Sequence, residues 1–134
     1  AWQGGARKVE AALEKGRLSG GERHVQVGAE GKESASNFTP REKFAQATLV
    51  EIHLLTGRTH QARVHAQHIG HPIGGDDKYG DRDFNQLLKQ HGLDRLFLHA
   101  ARVYFRHPLD GRKMQVEAPL PVELTRVLDS LRAP

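Results

Sequence analysis

Arginine and histidine crowd one short stretch of the sequence. From Thr56 to His65 the chain reads TGRTHQARVH, which gathers Arg58, His60, Gln61 and Arg63. A helix-compatible segment starts at about Thr59 and stops at Gly70, with Pro72 beyond, so the four side chains fall on a turn and a first helical turn. Backbone N–H groups left unpaired at a helix start point outward there. A fork-shaped guanidinium beside them suits an anion or a carboxylate partner. The same residues would equally serve as a solvated helix start with no chemistry.

Other chemistries find less support. His65, His68 and His71 recur at three-residue steps, but such residues share a helix face only roughly, and His71 lies past the helix end. Without a thiolate or a close carboxylate they make a weak metal site, and no metal is expected. Nothing matches the phosphate-binding GxxxxGK[ST] loop. Ser19, Ser34, Ser36 and Ser130 lack the strained-turn context of a hydrolase nucleophile. Gly74-Gly75-Asp76-Asp77 lacks the spacing of a calcium loop and reads as a turn with self-capping aspartates.

The elements that must position the arginine cluster can be read from periodicity. Ahead of it, Ala47–Leu55 carries Leu49, Val50, Ile52, Leu54 and Leu55 and is the best strand; Thr56-Gly57 breaks it. Ser34–Phe44 alternates weakly, with Pro40 confining it to an edge or a bulge, and a hairpin with the following strand is expected. Ala62, Ala66 and Ile69 give the central helix a core face. Further upstream, Val9–Lys15 (VEAALEK) has helix-favouring residues and an acidic/basic pair at helical spacing, which predicts a short helix. Gly16–Gly21 is a basic, glycine-rich loop and His24–Val27 a short strand. Downstream come a helix over Asp83–His91 closed by Gly92, an apolar strand over Leu96–Phe105, a turn at Leu109-Asp110-Gly111, and a strand over Lys113–Ala118. Pro119 and Pro121 open a last helix with Leu124, Val127, Leu128 and Leu131 on one face. The sum is one α+β domain: a mixed, mainly antiparallel sheet with flanking helices.

Bulk composition narrows the class without choosing it. The 134 residues are 37% hydrophobic, enough for a modest core. The formal net charge is +4 and the pI about 9.7, which suits a polyanionic partner such as RNA. With no cysteine, disulfides and thiolate metal sites are excluded, and a reducing cytoplasm fits. No apolar run approaches the roughly 18 residues of a spanning helix, and no signal peptide is evident.

Four blocks, in order, carry a family resemblance: TGRTHQARVH, GHPIGGDDKYGD, RLFLHAARVYFRHPLDG and VEAPLP. Their spelling and spacing resemble the RluA/RluC-type pseudouridine synthases, and within that group the large-subunit ribosomal RNA enzymes of RluC type. The resemblance runs from about Trp2 to the end. It implies the pseudouridine synthase catalytic fold and an extended segment where Val9–Lys15 favours helix; at that point both readings stand. It implies that Arg63, in the HQ-x-R run, pairs with a catalytic aspartate, keeping that carboxylate ionised and oriented for attack. Ala62 departs from the larger aliphatic residue more usual in that run. By the same resemblance, Leu98 would pack beneath a flipped uracil beside His60 and Gln61, although an ordinary core leucine fits equally. Arg58, Lys78, Tyr79, Arg82 and Arg95 would contact ribosomal RNA, or else form a solvated basic edge.

What the resemblance requires and the sequence lacks is the nucleophile. An HRLDxxTSG-like block should precede the arginine block, yet Asp76, Asp77, Asp81, Asp83, Asp94, Asp110 and Asp129 all follow it. Leu93-Asp94-Arg95 has the wrong position and no TSG tail. The family's active-site tyrosine is likewise expected upstream, and Tyr79 and Tyr104 are not in its context. The chain is therefore expected to be the C-terminal portion of a catalytic domain, inactive alone. The intact enzyme would convert uridine to pseudouridine without metal or organic cofactor, in the cytoplasm, and with no obligate protein partner. A non-catalytic RNA-binding module and an interaction domain of incidental basicity remain as competing readings.

Overall fold

A computed structural model describes residues 2–15 and 24–133; the glycine-rich loop expected at 16–21 lies outside them. The described elements run β1 (Arg7–Glu10), β2 (Leu13–Lys15), β3 (Val25–Val27), β4 (Ala35–Lys43), β5 (Thr48–Leu54), α1 (Gln61–His68), α2 (Arg82–Lys89), β6 (Arg102–Arg106), β7 (Lys113–Glu117) and α3 (Val122–Arg132). The architecture is α+β, and each described strand pairing is antiparallel. The pairings form three small sheets, β1-β4-β5, β2-β3 and β6-β7, where one larger sheet was expected.

The β4–β5 hairpin is the scaffold on which α1 is mounted. Its register sets Phe38 opposite Ile52 and Pro40 opposite Val50, then slips between Pro40 and Glu42. β1 pairs with β4 only as far as Phe38. Proline therefore sits where β4 has lost its neighbour on one side and is bulged on the other, a place that tolerates a missing N–H. Phe38 stacks on Trp2 with ring centroids 6.2 Å apart. These two join Val9 and Ala66 in one buried cluster, against which Val50, Ile52 and Ile69 pack.

Residues 9–15 are extended, not helical. Val9 and Leu13 are both buried, and the main chain pairs across a broad gap in sequence: Ala11 N–H donates to Ser34 O, and Leu13 N–H donates to Lys32 O. Partners across the sheet override the local helix preference of Ala-Ala-Leu-Glu.

α1 lies between two clusters. Ala66 faces the Trp2–Phe38 group, and Val64 packs with Leu13, Val25 and Tyr79. A third cluster unites α2 and α3 through Leu88, Leu93, Leu124 and Val127, with Phe84, Phe97, Leu120 and Leu131 around it. Asp81 caps α2 by accepting the Phe84 N–H at 2.8 Å. Among the described residues no helix is long and apolar enough to cross a membrane.

The strand expected over Leu96–Phe105 is shorter than its composition suggests. Only Arg102–Arg106 pairs, with β7. Ahead of it, Arg95 captures the backbone: its Nε donates to Leu96 O and its Nη2 to Leu98 O, while Leu98 N–H turns back on Leu96 O. Groups taken up in this way cannot join a strand ladder. Beyond Leu109-Asp110-Gly111, where Gly111 has φ +72°, the hairpin returns as expected. Val103, Tyr104 and Val116 on it are all more than half exposed.

Candidate active site: an arginine cleft over the first turn of α1

The turn from β5 into α1 is held by a buried polar network centred on Gln61. Its amide donates to Ala35 O and to Ser36 Oγ, both at 2.8 Å. Its carbonyl oxygen accepts the Thr56 hydroxyl at 2.6 Å and the Arg58 N–H at 3.0 Å. Ser36 in turn meets His65 Nδ1 at 2.9 Å, and His65 Nε2 reaches Ala11 O at 2.9 Å. A carbonyl can only accept, so Nε2 carries a proton, and in the neutral ring Nδ1 then accepts the Ser36 hydroxyl. Burial, first of all, holds the His65 imidazole below the usual histidine range. Every polar atom in this chain of contacts is matched, and α1 is thereby fixed to β4.

With its start fixed, α1 turns Arg63 toward the loop after Gly74. The guanidinium grips Asp76 side-on: Nε to Oδ2 at 2.9 Å and Nη2 to Oδ1 at 2.7 Å. The Asp76 side chain is fully buried, whereas that of Arg63 keeps 20% exposure. Asp76 Oδ1 also accepts the N–H groups of Lys78 and Tyr79 at 3.0 Å each. Burial would push this carboxyl up; the Arg63 hydrogen bonds and the two N–H groups outweigh it and hold Asp76 below the usual carboxylate range. The pairing also raises the Arg63 pKa.

Tyr79 braces the pair from below. Its ring lies 5.0 Å from the Arg63 guanidinium carbon. Its hydroxyl accepts the Val25 N–H at 3.0 Å and meets His60 Nδ1 at 2.8 Å. His60 adopts the left-handed region, φ 54°, a strained setting for a non-glycine residue. Burial and the neighbouring Arg63 and Lys78 charges keep its imidazole below its ordinary pKa. The loop itself depends on close approach: Gly75 has φ +79°, and a Cβ there would lie 2.0 Å from Arg95 O. Asn85 of α2 closes the arrangement, accepting the Gly75 N–H at 2.8 Å and donating to Asp76 O at 3.1 Å.

Above this pair opens a cleft of about 650 Å³. Arg63, Lys78, Lys89 and Arg95 line it together with Asp76, Asp77 and Asp94, and His60 and Asn85 complete the polar wall. Of the residues singled out in the sequence, His60, Arg63, Lys78 and Arg95 thus converge. Gln61 is buried at 2% exposure beneath the turn, and Tyr79 is core at 1%, not at an RNA-facing surface as expected. Arg58 is exposed and donates to Glu33 O. Arg82 is exposed at the start of α2, and half-buried Leu98 is outside the cleft lining. Among the described residues, no group of histidines and carboxylates is placed to hold a metal. Asp76 and Asn85 were missed. Asp76 carried one sequence signal, since an aspartate followed by Lys-Tyr-Gly can cap its own turn; nothing tied it to an arginine so far upstream.

Chemically, the site offers a guanidinium with one edge occupied and another left over. Side-on pairing uses Nε–H and one Nη2–H, so both Nη1 protons and the second Nη2–H remain for a further acceptor. Asp76 cannot be that acceptor, because it is buried and already takes four hydrogen bonds. The arrangement suits orienting a second carboxylate or an anion at the cleft floor.

A scan against protein-family models finds no match. Among curated proteins, the chain is 48% identical over 131 residues to the ribosomal large subunit pseudouridine synthase C of Pasteurella multocida, covering 98% of this chain and 40% of the relative. It is 50% identical to the protein of the same name from Yersinia pestis over 131 residues, and 50% identical over 133 residues to that of Escherichia coli strain K12, covering 41% and 42% of those relatives. The chain thus spans about two fifths of the length of the curated relatives it matches. In three dimensions it superposes on human RNA pseudouridylate synthase domain containing 1 with a TM-score of 0.69 and 26% identity, covering all of this chain and 62% of the other. The human domain containing 4 superposes equally well at 24% identity, a likeness of fold.

Proposed function

We propose that this chain is the C-terminal portion of a pseudouridine synthase catalytic domain, acting in the intact protein on large-subunit ribosomal RNA. The observation that carries the reading is the free edge of the Arg63 guanidinium at the floor of the cleft, within the HQ-x-R run. In this reading the free edge receives the aspartate nucleophile from the remainder of the protein and holds it ionised and aimed. The intact enzyme flips a uridine into the cleft, cleaves the C1′–N1 bond, rotates the uracil and rejoins it through C5. Lys78, Lys89 and Arg95 attract the RNA backbone. In this reading the enzyme acts in the cytoplasm. Curated relatives about half identical over nearly the whole chain support the substrate class.

The test is tritium release from ribosomal RNA labelled at uridine C5. This chain alone should release none, and the chain joined to the preceding part of such a protein should release tritium. Release by the chain alone would overturn the assignment of the nucleophile to the remainder. No release by the joined protein, shown to be folded, would leave a non-catalytic RNA-binding module.

A further inference from the structure

The bidentate Arg63–Asp76 pair has a geometry that a simple structural ion pair does not need. A guanidinium has two flat faces for a carboxylate, a side-on face made of Nε and Nη2 and an end-on face made of Nη1 and Nη2. Asp76 occupies the side-on face, through Nε and Nη2. The ring of Tyr79 lies 5.0 Å from the guanidinium carbon. The end-on face is left toward the cleft, on a side chain that retains 20% exposure above a carboxylate that retains none.

Asp76 is itself immobilised. Two backbone N–H groups fix Oδ1, and the side chain of Asn85 holds both the Gly75 N–H and the Asp76 carbonyl. Gly75 and Gly80 let the main chain close tightly here; a Cβ on Gly80 would lie 2.0 Å from Asp76 O. A rigid acceptor thus sets the rotation of a long side chain that could otherwise turn about several bonds.

From this we infer that Asp76 is a positioning residue for the reaction, acting through Arg63 by fixing the side-on edge of the guanidinium so that its end-on edge meets the nucleophilic carboxylate. The inference rests on the proposed pseudouridine synthase reading. Asp76 touches neither RNA nor nucleophile; it determines where Arg63 points.

The test uses the intact protein carrying Asp76→Asn, Arg63→Ala and both together. An asparagine turns an N–H toward the guanidinium and loses the charge-assisted pair. Asp76→Asn should lower kcat by about 100-fold, the loss expected when a reacting group is displaced by about an ångström. KM for RNA should change less than about threefold, because the cleft cations are untouched. The double variant should be no slower than Arg63→Ala alone, since Asp76 has no target once the guanidinium is gone. Full activity of Asp76→Asn, or losses that multiply in the double variant, would overturn the inference. Should Asp76→Asn fail to fold, Asp76→Glu replaces it and carries the same expectation of non-additivity. The Arg63 Nε–H resonance gives a readout separate from turnover: slow to exchange in the wild type and fast in Asp76→Asn. If the intact wild type is inactive, the functional reading fails; the resonance then still decides whether Asp76 orders Arg63, and fast exchange in the wild type would overturn that too.

Discussion

At the scale of single residues, the site is built from saturation. Asp76 and Gln61 each take up their hydrogen-bonding capacity inside the fold, and what remains unsaturated, the outer edge of Arg63, is what the cleft presents. The sequence showed which residues gather but not which way each faces. Gln61 beside Arg58 and His60 looks like a solvent-facing polar run, yet its amide donates to Ala35 and Ser36, too far along the chain to infer from spacing. The same buried chemistry has a pH signature. Burial is the leading cause that holds His60, His65 and His71 below the ordinary value of 6.5. Unfolded, these groups take up protons near that value, so below it the unfolded state binds more protons than the folded one. Stability should therefore be level from about pH 8 to 7 and fall as the pH drops through about 6.5. Thermal melts across pH 8 to 5 check this, and a melting temperature that rose on acidification would contradict it.

At the scale of elements, patterns were readable wherever a face met a core and unreadable where one side chain commandeered the backbone. The β4–β5 hairpin, α1, α2 and α3 follow from periodicity and from the Pro and Gly that bound them. Residues 9–15 do not, because their extended form comes from pairing with residues 25–27 and 32–38. Residues 96–101 do not either, because Arg95 takes the carbonyls a strand would use. That arrangement makes the Gly74–Gly80 loop and the Arg95 segment one unit, in which Phe97 N–H donates to Gly74 O at 2.9 Å. Gly75→Ala should break this unit. It combines a positive φ with a Cβ driven into Arg95 O, and should cost at least about 1 kcal/mol. A chemical-denaturation midpoint shows the loss, and an unchanged midpoint would mean the loop is not locked to Arg95.

At the scale of the whole molecule, the described residues form three small clusters, two of them sharing α1 and the third built on α2 and α3, with an exposed β6–β7 hairpin besides. The motif order made the family resemblance legible, and relatives about half identical over nearly the whole chain agree with it. No such reading could reveal that Arg63 already has an internal carboxylate partner, since that contact depends on the loop conformation alone. On the proposed reading its consequence is a division of labour, in which this chain fixes the guanidinium and the remainder of the protein brings the carboxylate that reacts. Arg63→Ala in the intact protein tests that division most directly, with single-turnover isomerisation of ribosomal RNA and RNA affinity measured on the same preparation. A rate at least about 100-fold lower with affinity within about threefold is expected, because the lost interaction serves the transition state and not RNA binding. Isomerisation at the wild-type rate, or an affinity loss large enough to account for the whole defect, would contradict it.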